Sequence, residues 1–132
     1  MTKIKIHHFL GDAVCETMED LEKTLAQSVN GVNEFFIVKE HTMFPYLTVL
    51  TNGAYAHVYC VPTEEAAGSL AFSDDVETDL DPDGISVFYT NTPTEEIEIY
   101  NDYVIPKELA VQIVKDFAES GTMSDRVQWD EL

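Results

Sequence analysis

Apolar and polar positions alternate with a period of two over residues 46–61 (YLTVLTNGAYAHVYCV), in two runs that meet at Asn52-Gly53. β-Branched and aromatic residues dominate both runs, and Asn-Gly tolerates the positive φ angles of a type I′ turn, so the stretch predicts a β-hairpin. With the turn on that dipeptide, Thr51 faces Ala54, Leu50 faces Tyr55, Val49 faces Ala56, Thr48 faces His57 and Leu47 faces Val58. One face is then apolar (Leu47, Val49, Ala56, Val58) and requires a helix over it. The other carries Tyr46, Thr48, Leu50, Tyr55, His57 and Tyr59 and is free to meet solvent, another layer or a partner.

The same reading extends to the rest of the chain. Residues 3–8 alternate as a first strand, expected at a sheet edge because one face is charged. Behind a Thr17 cap, Met18, Leu21, Leu25 and Val29 recur at helical spacing and Asn30-Gly31 offers a stop, which predicts a helix over 18–29. Residues 34–39 are apolar on both faces and predict a central strand. Pro62 closes the hairpin, residues 68–73 suggest a short strand, and residues 74–84 read as an acidic loop too self-repelling to pack. Residues 85–90 and 95–100 predict two further strands, the second with Ile97 and Ile99 on one face and Glu96 and Glu98 on the other. Pro106 suits a first helical turn, ahead of a stripe of Leu109, Ala110, Ile113, Val114, Phe117 and Ala118 and a stop at Gly121. The tail, with Trp129, is expected to dock as an extended segment. The sum is an α+β fold in one domain of residues 1–132, an antiparallel meander-like sheet with two helices packed on one face.

Charge changes the picture. Twenty-five acids against seven bases leave a net −18, which opposes direct binding to nucleic acid or to an anionic membrane. Residues 62–106 hold twelve acids and no Lys or Arg: Glu64, Glu65, Asp74, Asp75, Glu77, Asp79, Asp81, Asp83, Glu95, Glu96, Glu98 and Asp102. A solvated surface and a partner surface both fit this pattern. No stretch approaches the roughly 18 apolar residues of a membrane span and the first residues lack a signal peptide's apolar core, so a cytoplasmic location is expected. Cys15 and Cys60, 45 positions apart, are expected as buried free thiols.

Motifs for chemistry are sparse. Residues 79–84 (DLDPDG) match the opening of an EF-hand calcium loop, but its twelfth position is Thr90 rather than Glu, and no metal site is assigned. His7, His8, His41 and His57 lack zinc-ligand spacing. Glu96 and Glu98 share a strand face as paired carboxylates do in glycoside hydrolysis, yet a solvated face explains them equally. No nucleophile elbow or phosphate-cradling loop occurs, so no catalytic residue and no cofactor is expected.

The C-terminal half carries a family likeness. The strand pair ISVFYT and EEIEIYNDYVIP leads into a helix opening Val104-Ile105-Pro106-Lys107-Glu108-Leu109-Ala110, passes through Val114-Lys115-Asp116-Phe117-Ala118 and closes on Ser124-Asp125-Arg126-Val127-Gln128-Trp129-Asp130-Glu131-Leu132. In these segments the chain resembles immunity family one of bacterial polymorphic toxin systems, from about residue 34 to the end and in outline before it. The resemblance implies a non-catalytic antidote that binds the C-terminal domain of a secreted antibacterial toxin, a nucleic-acid-targeting deaminase or nuclease, and occludes its active site. Asp74, Asp75, Glu77, Asp79, Asp81 and Asp83, with Glu96 and Glu98, would then supply steering charge, and Tyr55 or Tyr59 the aromatic anchors. The competing expectation is an acidic interaction module, calcium-tuned or not, without a toxin partner.

Overall fold

A computed structural model describes residues 1–74 and 78–132. Among them the elements run β1 (Ile4–His8), β2 (Gly11–Cys15), α1 (Met18–Leu25), β3 (Val32–Lys39), β4 (Tyr46–Asn52), β5 (Tyr55–Val61), β6 (Ser69–Phe72), β7 (Ile85–Tyr89), β8 (Glu96–Tyr100), β9 (Ile105–Pro106), α2 (Lys107–Ser120) and β10 (Gln128–Glu131), with a 3-10 turn at Asn101–Tyr103. The main sheet has the order β10-β6-β5-β4-β3-β1-β2, with β9 added to β5, while β7 and β8 pair only with each other. All these pairings are antiparallel. The α+β class holds, and β3 to β6 form the expected meander. The strands of residues 85–100 leave that sheet and make a second layer.

Both helices cover one face of the main sheet. Leu21 and Leu25 from α1 and Ala110, Ile113, Val114, Phe117 and Ala118 from α2 bury themselves against Ile4, Ile6, Phe35, Ile37, Leu47, Val49, Ala56 and Val58. Side chains alternate along each strand, so every second residue of β1, β3, β4 and β5 joins this core. α2 starts from Pro106 as its N-cap rather than as its first helical residue, because Ile105 and Pro106 still pair with β5, and it stops at left-handed Gly121. The tail docks as β10 along β6, with the Trp129 ring nitrogen donating to the Ser124 carbonyl at 2.8 Å.

Several expectations are corrected. The first strand is not an edge: β2 shields it, and β2 escaped notice because Gly-Asp-Ala-Val-Cys is poor in strand formers. α1 keeps its capping box between Thr17 and Asp20 but ends after Leu25, four residues short of Val29. Val29 instead bridges Val32, with backbone hydrogen bonds of 2.9 and 3.1 Å, around Asn30 and Gly31 at φ 53 and 85. Positive φ at both central positions is the type I′ signature, so Asn30-Gly31 turns the chain into β3 rather than capping a helix.

The central hairpin moves its turn the other way. Asn52 pairs with Tyr55, Leu50 with His57, Val49 with Val58 and Leu47 with Cys60, a shift of two positions from the expected pairing. Asn52 stays in the strand because it also pairs with Val32 of β3, leaving Gly53 at φ 60 and Ala54 as the two-residue loop. A glycine with positive φ in the first loop position suits a type II′ turn. A shift of two preserves parity, so Leu47, Val49, Ala56 and Val58 still face the helices, all buried.

Candidate protein-binding surface

β7 packs over β4 and β3 on the side of the main sheet opposite the helices, and β8 pairs with β7. Their register sets Phe88 against Ile97, Ser86 against Ile99, Val87 against Glu98, Tyr89 against Glu96 and Ile85 against Tyr100. Paired residues share a face, so Ser86, Phe88, Ile97 and Ile99 lie on the face toward the main sheet, where Phe88 is buried and Ile99 half-buried while Ile97 stays 36% exposed. Phe88 closes a small core with Leu50 and Val104, on which Tyr55, Leu80 and Ile99 pack. Glu96 and Glu98 point away from it and are exposed.

Polar side chains fix the layer at both ends. Asn52 donates its side-chain amide to the Val87 carbonyl at 2.9 Å. The Glu34 carboxylate of β3 accepts the Thr90 hydroxyl and, at 3.0 Å, the Asn91 amide. Asn101 donates to the Asp81 carbonyl at 2.8 Å from its side chain and to the Gly84 carbonyl at 3.0 Å from its backbone, and its side-chain oxygen accepts the Ser86 hydroxyl. Residues 78–84 are therefore anchored at Leu80, Asp81 and Gly84, which the expectation of an unpacked loop did not foresee, while Asp79, Asp81, Pro82 and Asp83 stay exposed. Leu80 provides the apolar grip and Asn101 the polar one, and a few such contacts outweigh the screened repulsion of exposed carboxylates.

The expected site residues separate in space. Asp79 and Tyr55 meet: the tyrosine hydroxyl donates to the carboxylate, and that hydrogen bond holds the Tyr55 pKa above its usual value. Asp81 accepts the Asp83 amide at 3.0 Å and, with Gly84, forms the turn into β7. Asp74 sits apart, past the end of β6, where its amide donates to the Gln128 side chain at 3.4 Å. Asp75 and Glu77 lie outside the described residues. Tyr59 is engaged within the fold: its hydroxyl donates to the Ala67 carbonyl at 2.6 Å, and its ring fills the space a side chain at Gly68 would need. Pattern reading missed Ile85 and Tyr100, whose pairing places two exposed apolar side chains beside this acid-rich turn. The signal was the phase of residues 85–89 against 96–100, which tells which residues share a face once the register is known.

Elsewhere the chemistry is quiet. Burial pushes the Cys60 thiol up to about 11 and raises Cys15 as well, so neither is a thiolate near neutral pH. His57 is buried and donates from Nδ1 to the Tyr103 carbonyl at 3.0 Å, and burial lowers its pKa. His8 accepts from the Asn33 side chain at 3.3 Å and the Leu10 amide at 3.4 Å on Nδ1, leaving its proton on Nε2. Among the described residues no three His, Cys, Asp or Glu side chains converge as metal ligands would, and no helix is long and apolar enough to cross a membrane. A recess of about 680 Å³ lies between α1 and α2 over Leu25, Pro106 and Val111, away from the acidic layer. Comparison with protein-family models and with curated proteins returns no match.

Proposed function

We propose that this chain is an immunity-type inhibitor, which neutralises the nucleic-acid-targeting domain of a secreted antibacterial toxin by covering its active site and does so in the cytoplasm without catalysis of its own. The carrying observation is the distribution of charge: a 45-residue stretch with twelve acids and no base, whose described part ends in a layer pinned to a rigid sheet. An enzyme that grips a polyanion needs a cationic groove, and a carboxylate-rich surface is drawn to that groove in place of the substrate. The resemblance of the C-terminal half to immunity family one supports the same reading.

Co-expression with the C-terminal domain of a toxin encoded beside this gene tests it: cells carrying both are expected to survive where the toxin alone kills. Mixing the purified proteins then reads the role of charge. Steered association proceeds at about 10⁸ M⁻¹ s⁻¹ or faster at low salt and falls by about tenfold or more when salt reaches a few hundred millimolar. A rate indifferent to salt removes the acidic stretch from the binding, and a toxin that still kills in the presence of the protein refutes the proposal.

A further inference from the structure

If β7 and β8 served only to cover the small core, their outer face would carry polar residues at alternate positions, as a solvated antiparallel face does. Instead Ile85, Val87, Tyr89 and Tyr100 share that face with Glu96 and Glu98. Ile85 and Tyr100 are directly paired and remain 49% and 69% exposed. Cross-strand partners have Cβ atoms only about 5 Å apart, so the two form one aliphatic and aromatic knob. Asn101, the next residue, ties the Asp81–Gly84 turn to the same end of the hairpin, and Asp102 follows it. The knob therefore emerges among carboxylates, with no Lys or Arg anywhere in residues 62–106 to neutralise them. An apolar centre inside a charged rim is the anatomy of a protein contact surface. The tethers from Asn52, Glu34 and Asn101 hold it ready before any partner arrives.

We infer that the outer face of the β7–β8 hairpin is the surface that enters the partner, with Tyr100 and Ile85 as its anchor and Glu96, Glu98 and the Asp81–Asp83 turn as its rim. The occupant is a cationic cleft with an apolar floor, the nucleic-acid groove of the toxin domain; the charge complementarity selects it, and the inference rests on the inhibitor reading above. Anchor and rim act on different rate constants. Losing the anchor speeds dissociation, because packed contacts hold the finished complex, whereas neutralising the rim slows encounter.

The test measures binding of the adjacent toxin's C-terminal domain to the wild-type protein, to Ile85→Ser/Tyr100→Ala, to Glu96→Gln/Glu98→Gln and to Phe36→Ser, the last on the uncovered part of the main sheet. The anchor pair is expected to weaken affinity by about 100-fold or more through faster dissociation. The rim pair is expected to slow association several-fold and to flatten its salt dependence, with Phe36→Ser within about threefold of wild type. Hydrogen exchange on the wild-type complex gives a readout free of any folding defect, and amides of residues 85–100 are expected to gain protection there. Tight wild-type binding that the anchor pair leaves within threefold, or protection gained on β1 and β2 instead, overturns the assignment of the face while leaving the inhibitor reading intact. A wild-type protein that binds no toxin domain overturns both.

Discussion

The two faces of the main sheet are closed by layers of different weight. Among the described residues, α1 and α2 seal twenty buried side chains into a single core on one face; on the other, β7 and β8 seal three, Leu50, Phe88 and Val104. Buried apolar area sets stability at about 25 cal/mol per Å², so the helical layer holds the fold and the hairpin layer adds little to it. An isolated two-stranded hairpin is marginal in water. This one is kept in place by the burial of Phe88 together with side-chain hydrogen bonds from Asn52 and Glu34 of the main sheet, while Asn101 ties the hairpin to its own preceding turn. The division suits an inhibitor, since the surface that must match a particular partner can change its residues without touching the core that folds the chain.

The sharpest way to break the comparison is to remove the same side chain from each layer. Phe35 and Phe88 are both fully buried, Phe35 on the main sheet beneath the helices and Phe88 on the inner face of the hairpin. Phe35→Ala is expected to cost about 3–5 kcal/mol of global stability by urea denaturation. Phe88→Ala should spend its effect locally, with amides of residues 85–100 losing hydrogen-exchange protection while those of β3 to β5 keep theirs. Equal loss of protection across both layers would mean that they unfold as one unit.

A smaller effect should come from pH. His57 lies between the main sheet and the Tyr103 carbonyl, and burial depresses its pKa below the ordinary 6.5. The folded state then binds fewer protons than the unfolded one once pH drops below 6.5, so the stability this histidine contributes is present above that value and is lost on acidification toward its lower folded pKa. His8 shifts in the same direction for the same reason. Protonating carboxylates also relieves repulsion in so acidic a chain, so the informative quantity is a difference: between pH 7 and pH 5, His57→Gln should lose less stability than wild type in parallel denaturation curves.

The smallest effect is expected in the acidic turn. Asp79→Asn/Asp81→Asn/Asp83→Asn removes three exposed charges while keeping an oxygen to accept from Tyr55 and from the backbone of residue 83. Stability should stay within about 0.5 kcal/mol of wild type, while association with a cationic partner slows. A large loss of stability would show that this turn holds the layer rather than serving its surface.

Much of this fold could be read along the chain, and the parts that could not share one cause. The α2 stripe from Leu109 to Ala118, the apolar face of Leu47, Val49, Ala56 and Val58, and the opposition of Ile97 and Ile99 to Glu96 and Glu98 all held. Each depends only on periodicity within one element, which the backbone geometry enforces locally. The central hairpin's register moved by two because β3 extends far enough to keep Asn52 in the ladder. The helix over 18–29 lost its end because Val29 found Val32, and Gly11–Cys15 became a strand because β1 offered an open side. Of the candidate surface, the acids were visible as letters; the knob of Ile85 and Tyr100 was not, since it exists only through their pairing.

Which residues are apolar together, how often they recur and where negative charge accumulates are properties of neighbours along the chain, and the order of the amino acids fixes them directly. Which strand lies beside which, the departure of residues 85–100 from the main sheet into a second layer, and which side of that layer faces outward emerge only once the whole chain is folded. Those choices follow from competition among distant segments for the same hydrogen-bonding edges and apolar faces, and no single segment carries the information to settle it.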